Sequence, residues 1–376
     1  MSASHDVLIA GAGIIGASVA FELAGRGARV AVLDRQPPGR EASWAAAGML
    51  SPPPDNASAI PLVPLARASL ARYPEFVAAV EEASGQNCGY RAHGAIEALF
   101  SGNADRELST LVALHHGLGL PTEVLRPEEA VKLESALNPE LRAAAQMTYE
   151  ACVDNRALTA AVVAAAISRR VEFVTHSRVD AILQHDNRCV GVISGGERIE
   201  SGTTIIAAGC FSAAIAGAAA FAPVKPIRGQ MVALKSAQVD LHHVLRSERG
   251  YIVPRGNGLC VAGSTLEDAG FEKCVTPAGI DRILSMAMEL VPALSSAEIV
   301  ETWSGLRPDS PDHLPILGPT NLEGLVIATG HYRNGILLTP ITAKLIAEWI
   351  TEQRVSFAWD EFSPKRFAKR DDTSAS

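Results

Sequence analysis

The sequence predicts an α/β protein: a central parallel sheet with helices, followed by a region of mixed antiparallel strands. Three observations predict it. The N-terminus reads strand, glycine turn, helix, strand. The segment Pro223 to Trp303 carries several strand-like runs before one long helix. A length of 376 residues fits two domains of ordinary size.

The first unit opens on the apolar run Val7–Ala10, which begins after Asp6 and stops at Gly11, the pattern of a buried strand. Ile15–Arg26 reads as a helix closed by Gly27, and Arg29–Leu33 as a second buried strand ending at Asp34. Together these make one βαβ unit. Pro37-Pro38-Gly39 and Pro52-Pro53-Pro54 bracket Ala42–Leu50, a small-residue turn into a short helix. Residues 62–85 read as helical. The stretch 86–145 is mixed, with helices over 105–118 and 127–135. Asn155–Arg169 is an Ala-rich helix, and Val171–Val174 and Val179–Leu183 are strands. Gly195-Gly196 makes a two-residue hairpin turn between Cys189–Ser194 and Arg198–Ser201. Thr203–Gly209 is a further buried strand. Met231–Leu234, Tyr251–Pro254 and Leu259–Ala262 read as strands, 277–290 as a long helix, Leu325–Gly330 as a returning central strand and Thr342–Ile350 as a helix.

Composition excludes several roles. The net charge is −8 and no long Lys/Arg run occurs, which argues against nucleic acid as a main partner. The six cysteines form no CxxC pair, so neither a disulfide framework nor a zinc site is expected; they read as mostly buried thiols in a reducing cytoplasm. His242-His243 lack partners at metal spacing. Residues 7–24 are apolar, but Glu22 interrupts the run and no Lys or Arg precedes it, so neither a signal peptide nor a membrane span is expected.

Gly11, Gly13 and Gly16 form G-x-G-x-x-G between a strand and a helix, with Ile14 and Ile15 inside the motif. The first glycine permits the tight turn, the second lets the backbone approach a pyrophosphate, and the third lets helix and strand pack. The helix N-terminus offers free N–H groups to that anion. Asp34, about 20 residues on, can accept from ribose hydroxyls, and Arg35 follows it. The expectation is a Rossmann-like dinucleotide site; the turn alone does not choose between FAD and NAD.

Further segments carry a resemblance. Glu41–Leu50 resembles the second FAD segment of the D-amino-acid oxidase superfamily, with Ser43, Ala46, Ala47, Gly48 and Met49 at flavin-lining positions. Trp303–Gly318 and Ala328–Pro340 resemble the glycine oxidase branch, which serves thiazole formation in thiamine synthesis. Asn334, Gly335, Ile336 and Leu337 match the loop at the flavin pyrimidine edge, with His331 beside it. Ala208 and Gly209 lie in an A-A-G turn that backs onto the cofactor, and Val179 matches the residue meeting the adenine. The likeness is strong at both ends and through about 150–270, and weak over about 52–145. It implies a discontinuous FAD domain (1–85, 146–222, 305–376) with an interleaved α+β substrate domain (86–145, 223–304). No Cys follows Cys274, so non-covalent FAD is expected.

A flavin amino-acid oxidase needs few catalytic side chains, because the protein mainly binds, orients and excludes water. By the resemblance, Arg307 in Gly-Leu-Arg-Pro is the carboxylate clamp, where a guanidinium can form a bidentate fork. Tyr251 matches a residue bonding the same carboxylate, and Arg333 one near the substrate amine, acting through its backbone carbonyl; the alternatives are a surface salt bridge for Arg307, a core aromatic for Tyr251 and a pocket gate for Arg333. His331 tempts as a base, but hydride transfer from a neutral amine requires none. In Gly263-Ser-Thr-Leu266, Leu stands where the branch pattern has Met, an expected small change in pocket shape. The implied reaction takes glycine, sarcosine or small D-amino acids and oxygen to imine and peroxide in the cytoplasm. A homo-oligomer and a functional link to a thiazole synthase are compatible with it. The alternatives are a D-amino-acid or sarcosine dehydrogenase using another acceptor, and a catalytically silent flavin-binding partner.

Overall fold

A computed structural model describes residues 5–54 and 57–367. The strand His5–Ala10 enters helix Ile14–Gly25 through the glycine turn and returns along Val30–Leu33, parallel to the first, with Val7 opposite Val30 and Ala10 opposite Leu33. The parallel sheet runs Leu325–Thr329, Glu197–Ile206, His5–Ala10, Val30–Leu33, Glu172–Val174, with Ile316–Pro319 added antiparallel at one edge. Alternate side chains serve two cores, as the strand period requires. Val7 and Ile9 pack under helices Ile14–Gly25, Val63–Ser84, Asn155–Ser168 and Gly335–Glu352. Leu8 and Ala10 face the opposite layer with Val179, Ile182 and Val192, on the antiparallel strands Val179–His185 and Arg188–Ser194.

A second sheet has eight strands in the order Glu298–Asp309, Lys225–Lys235, Leu259–Gly263, Gly250–Gly256, Val244–Ser247, Ala95–Leu99, Ala143–Met147, Glu123–Leu125. All its pairs are antiparallel except Val244–Ser247 with Ala95–Leu99. Helix Pro277–Leu290 covers it through Ile283, Met286 and Leu290.

Three expectations shift. The stretch 86–145 contributes strands as well as the expected helices, which fall at Ala104–Gly117 and Pro127–Leu133. Ala-rich Ala95–Leu99 and Ala143–Met147 have weak strand propensity, and pairing with each other overrides it. The strands expected on either side of Gly202 are one, Glu197–Ile206, which pairs antiparallel with Arg188–Ser194 and then parallel with His5–Ala10. The last helix begins at Gly335 rather than Thr342, despite Pro340 inside it. Proline leaves the carbonyl four residues back without its usual donor; here that carbonyl, Ile336 O, accepts the buried Tyr73 hydroxyl at 2.5 Å.

Two histidines lie inside. His115 is 4% exposed and His331 3%. Burial lowers His331 to about 3; burial first, then the positive charge of Arg246, lowers His115 to about 4. Below pH 6.5 the unfolded chain takes up these protons and the native chain does not, so stability falls with pH. By pH 5 each contributes a loss of about 2 kcal/mol. The melting temperature should drop between pH 7 and pH 5, and His115→Gln should flatten that slope; an unchanged slope would mean that His115 titrates normally.

Candidate cofactor and substrate site

One cavity of about 760 Å³ is lined by residues of both sheets. At one end lies the glycine turn. Gly11 has φ +113°, and a Cβ there would sit 2.4 Å from Ala207 O; a Cβ on Gly16 would sit 2.0 Å from Gly11 O, so helix and strand touch only because both lack side chains. Gly11→Ala therefore costs left-handed strain of roughly 1–3 kcal/mol plus a backbone clash, and both the melting temperature and the cofactor content should fall. A variant with normal flavin content would show that the turn tolerates a methyl.

Asp34 lines the cavity at the end of the second strand. Its Oδ2 accepts from Ala12 N at 2.7 Å and its Oδ1 from Gln36 N at 2.9 Å, which fixes the turn. Burial raises its pKa against these bonds. Arg35 lies over the Phe211 ring at 3.6 Å and donates to Glu41 at 2.5 Å. Gly13, at the helix N-cap, has no side chain to cap with, and Ser43 Oγ accepts the Ile14 N–H at 2.9 Å. Gly48, at φ +76°, approaches Val153 O so closely that a Cβ would lie 2.0 Å away. The small-residue segment is held from behind by Asn155, which donates to Ser43 O and Trp44 O, and by Arg255, which donates to Ala47 O at 2.7 Å. Neither anchor carried a motif signal beyond a polar residue in an apolar setting.

At the other end stand Arg307 and Tyr251, both half-buried. Arg307 donates to Ser264 Oγ at 2.7 Å and Thr265 O at 3.3 Å. Among the described residues no carboxylate pairs with it, whereas Arg228, Arg246 and Arg156 each meet a glutamate. The Tyr251 hydroxyl lies 3.7 Å from Met231 Sδ. Gly229 and Gly263 make the room: a Cβ on Gly229 would fall 2.2 Å from Arg307 Nη1, and one on Gly263 2.3 Å from Met231 Sδ.

The structure thus brings Gly11, Gly13, Ile14, Ile15, Asp34, Arg35, Ser43, Ala46, Ala47, Gly48, Met49, Val179, Ala208, Gly209, Tyr251, Arg307, His331, Arg333, Asn334, Gly335 and Ile336 to one cavity. Gly16 and Leu337 stand behind its wall. His331 is neutral and its Nε2 meets Thr342 Oγ1 at 3.1 Å. Leu266 is 59% exposed and lies outside the cavity lining, so its substitution for Met does not reshape this wall. Sequence reasoning passed over Gly229, Met231 and Ser264, because isolated small or apolar strand residues carry no pattern.

The donor set fits FAD. The helix N-terminus and bare Gly13 suit a pyrophosphate, the Ala46–Gly48 wall suits a planar ring, and the cavity continues to Arg307.

Comparison with known proteins agrees. Residues 6–349 match the DAO family model, described as FAD dependent oxidoreductase. The chain is 35% identical to the bifunctional protein ThiO/ThiG of Trichormus variabilis, over 99% of this chain but only 56% of the relative, so it spans about half that protein's length. It is 33% identical to a glycine oxidase of Geobacillus kaustophilus, with 97% of this chain and 98% of the relative covered. The crystal structure of glycine oxidase from the same species superposes with a TM-score of 0.90 over 96% of this chain and 99% of that one, at 32% identity. The chain belongs to the DAO family of FAD-dependent oxidoreductases.

Proposed function

We propose that the protein oxidatively deaminates glycine, with sarcosine and small D-amino acids as further substrates. The observation that carries this reading is the Arg307 guanidinium: it lines the cofactor cavity, holds only neutral partners, and has no carboxylate of its own among the described residues. A cation in that state is a receptor for an anion.

Bound FAD supplies a two-electron acceptor that oxygen regenerates with release of hydrogen peroxide. Arg307 binds the substrate carboxylate through the guanidinium edge left open by Ser264 and Thr265. Tyr251 donates its hydroxyl to the same carboxylate, and Met231 gives an apolar wall beside it. Arg333 sits near the substrate amine. Together they would orient Cα for hydride loss once the substrate ammonium has released its proton to water. Neutral His331 keeps its ring nitrogen on Thr342 and takes no proton. The glycine imine leaves and hydrolyses to glyoxylate and ammonia. The relative named bifunctional protein ThiO/ThiG supports a functional link of that imine to thiazole formation. The division into a discontinuous FAD domain and an interleaved substrate domain is supported by the two sheets. Six unpaired cysteines suit a reducing cytoplasm, and no helix among the described residues is long and apolar enough to cross a membrane.

The test is anaerobic reduction of the bound flavin. Glycine or sarcosine should bleach it with higher kcat/KM than D-Phe or D-Trp, and acid or heat should release all flavin as FAD. A preference for bulky D-amino acids, or flavin retained on denatured protein, would sink the reading.

A further inference from the structure

Behind the clamp lies a polar cluster that does not line the cavity. Ser264 and Thr265, which hold the Arg307 guanidinium, follow the strand Leu259–Gly263 as a loop. Thr265 is 4% exposed; its Oγ1 accepts from Gln230 N at 2.9 Å and donates to Glu267 Oε1. The other Glu267 oxygen accepts from Arg228 Nε at 3.0 Å and from Arg228 Nη2. Gln230, fully buried, donates its amide to Glu267 Oε1 at 2.8 Å. Backbone bonds between Arg228 and Glu267 in both directions, 2.9 and 3.0 Å, close the loop onto the strand.

One carboxylate therefore gathers three groups from a strand and a loop. Arg228, Gly229 and Gln230 are consecutive on the strand that pairs with the Arg307 strand. Side chains alternate along it, so Arg228 and Gln230 meet Glu267 while Gly229 faces Arg307. Glu267 also neutralises Arg228, which is 7% exposed, and so leaves Arg307 as the guanidinium of this cluster without a carboxylate. Burial pushes the Glu267 carboxyl up, but the bonds from Thr265, Arg228 and Gln230 hold it below its ordinary value, so it stays ionised near neutral pH.

We infer that Glu267 is a positioning residue for substrate-carboxylate binding, acting through Thr265 and Ser264 on the orientation of Arg307. The inference rests on the reading of Arg307 as the clamp. Without the Glu267 carboxylate, Thr265 Oγ1 keeps only its bond from Gln230 N and the side-chain ties to Arg228 and Gln230 are lost, so the 264–267 loop loosens on its backbone bonds and the guanidinium direction is less fixed; a bidentate contact depends on that direction more than on charge alone.

The test is a double-mutant cycle on the oxidised holoenzyme, with acetate as an unreactive carboxylate probe titrated by flavin absorbance. Glu267→Ala should weaken acetate binding and raise the glycine KM by about tenfold, with FAD stoichiometry unchanged and a smaller effect on kcat. Glu267→Gln should fall between, and carries the test should the alanine variant not accumulate. In an Arg307→Ala background either change should have no further effect on acetate. Equal losses in both backgrounds, or none in either with Arg307→Ala itself weakening acetate, would overturn the role of Glu267. If Arg307→Ala leaves acetate affinity intact, the clamp reading fails instead.

Discussion

Replacing Arg307 by alanine is expected to lower kcat/KM for glycine by at least one to two powers of ten, because charge-assisted contacts are worth roughly 1.5–3 kcal/mol. Misplacement of Cα should add a loss in kcat. Stability should hardly change. The guanidinium has no ion pair to lose among the described residues, and its two partners, Ser264 Oγ and Thr265 O, are neutral. The same removal at Arg228 would leave Glu267 unpaired and cost fold stability. Arg307→Lys should recover only part of the activity, since a point charge cannot reproduce the fork. FAD content should stay at the wild-type level. Steady-state kinetics with glycine, flavin absorbance and a thermal melt decide the matter together. A variant that keeps near-normal kcat/KM, or that loses FAD, would make Arg307 structural.

The cofactor end of this site was legible because its chemistry imposes a local pattern. Gly11 and Gly16 are required by two close backbone approaches, Gly13 stands between them beside Ser43 Oγ, and Asp34 ends the next strand, so all of it can be read in one short window. The proposed substrate end is marked in the sequence only by resemblance. Arg307 and Tyr251 sit on strands 56 positions apart in the chain, and nothing about either alone distinguishes it from a surface arginine or a core tyrosine. What distinguishes Arg307 is negative: among the described residues no carboxylate pairs with it. Glu267 faces Arg228, while Glu97 and Glu150 face Arg246. Such accounting exists only once the strands are paired.

The same holds for the fold. The βαβ unit and helix 277–290 follow from local periodicity, and the helix is found at Pro277–Leu290. The strands of 86–147 do not, because Ala-rich segments take their conformation from their neighbours in the sheet. The early start of the last helix was hidden by Pro340. It is permitted by Tyr73, 263 residues away from the carbonyl it bonds.

Gly229→Ala should have an effect nearly as large as the loss of Arg307, through a single methyl. Gly229 lies on the strand Lys225–Lys235, opposite Gly305, and its backbone is outside the left-handed region, so alanine brings no conformational strain. In a strand interior, alanine in place of glycine even favours the fold by about 0.5–1 kcal/mol. The added Cβ would lie 2.2, 2.3 and 2.5 Å from Nη1, Nη2 and Cζ of Arg307. The clash is with the far end of a flexible side chain, so the guanidinium moves and the strand does not. Arg307 then leaves Ser264, and the clamp is displaced with its charge intact. The expected result is a glycine KM raised at least about tenfold, full FAD content and an unchanged or slightly higher melting temperature. Gly305→Ala is the contrast: its Cβ would meet Ala45 Cβ at 2.3 Å, a short side chain with nowhere to swing. The strain there falls on Ala42–Ala45, which leads into the Ala46–Gly48 wall, so that variant should lose FAD affinity first. Titration of apoprotein with FAD and glycine kinetics on both variants separate the two. A Gly229→Ala enzyme with wild-type KM would show that the guanidinium does not rest over this glycine.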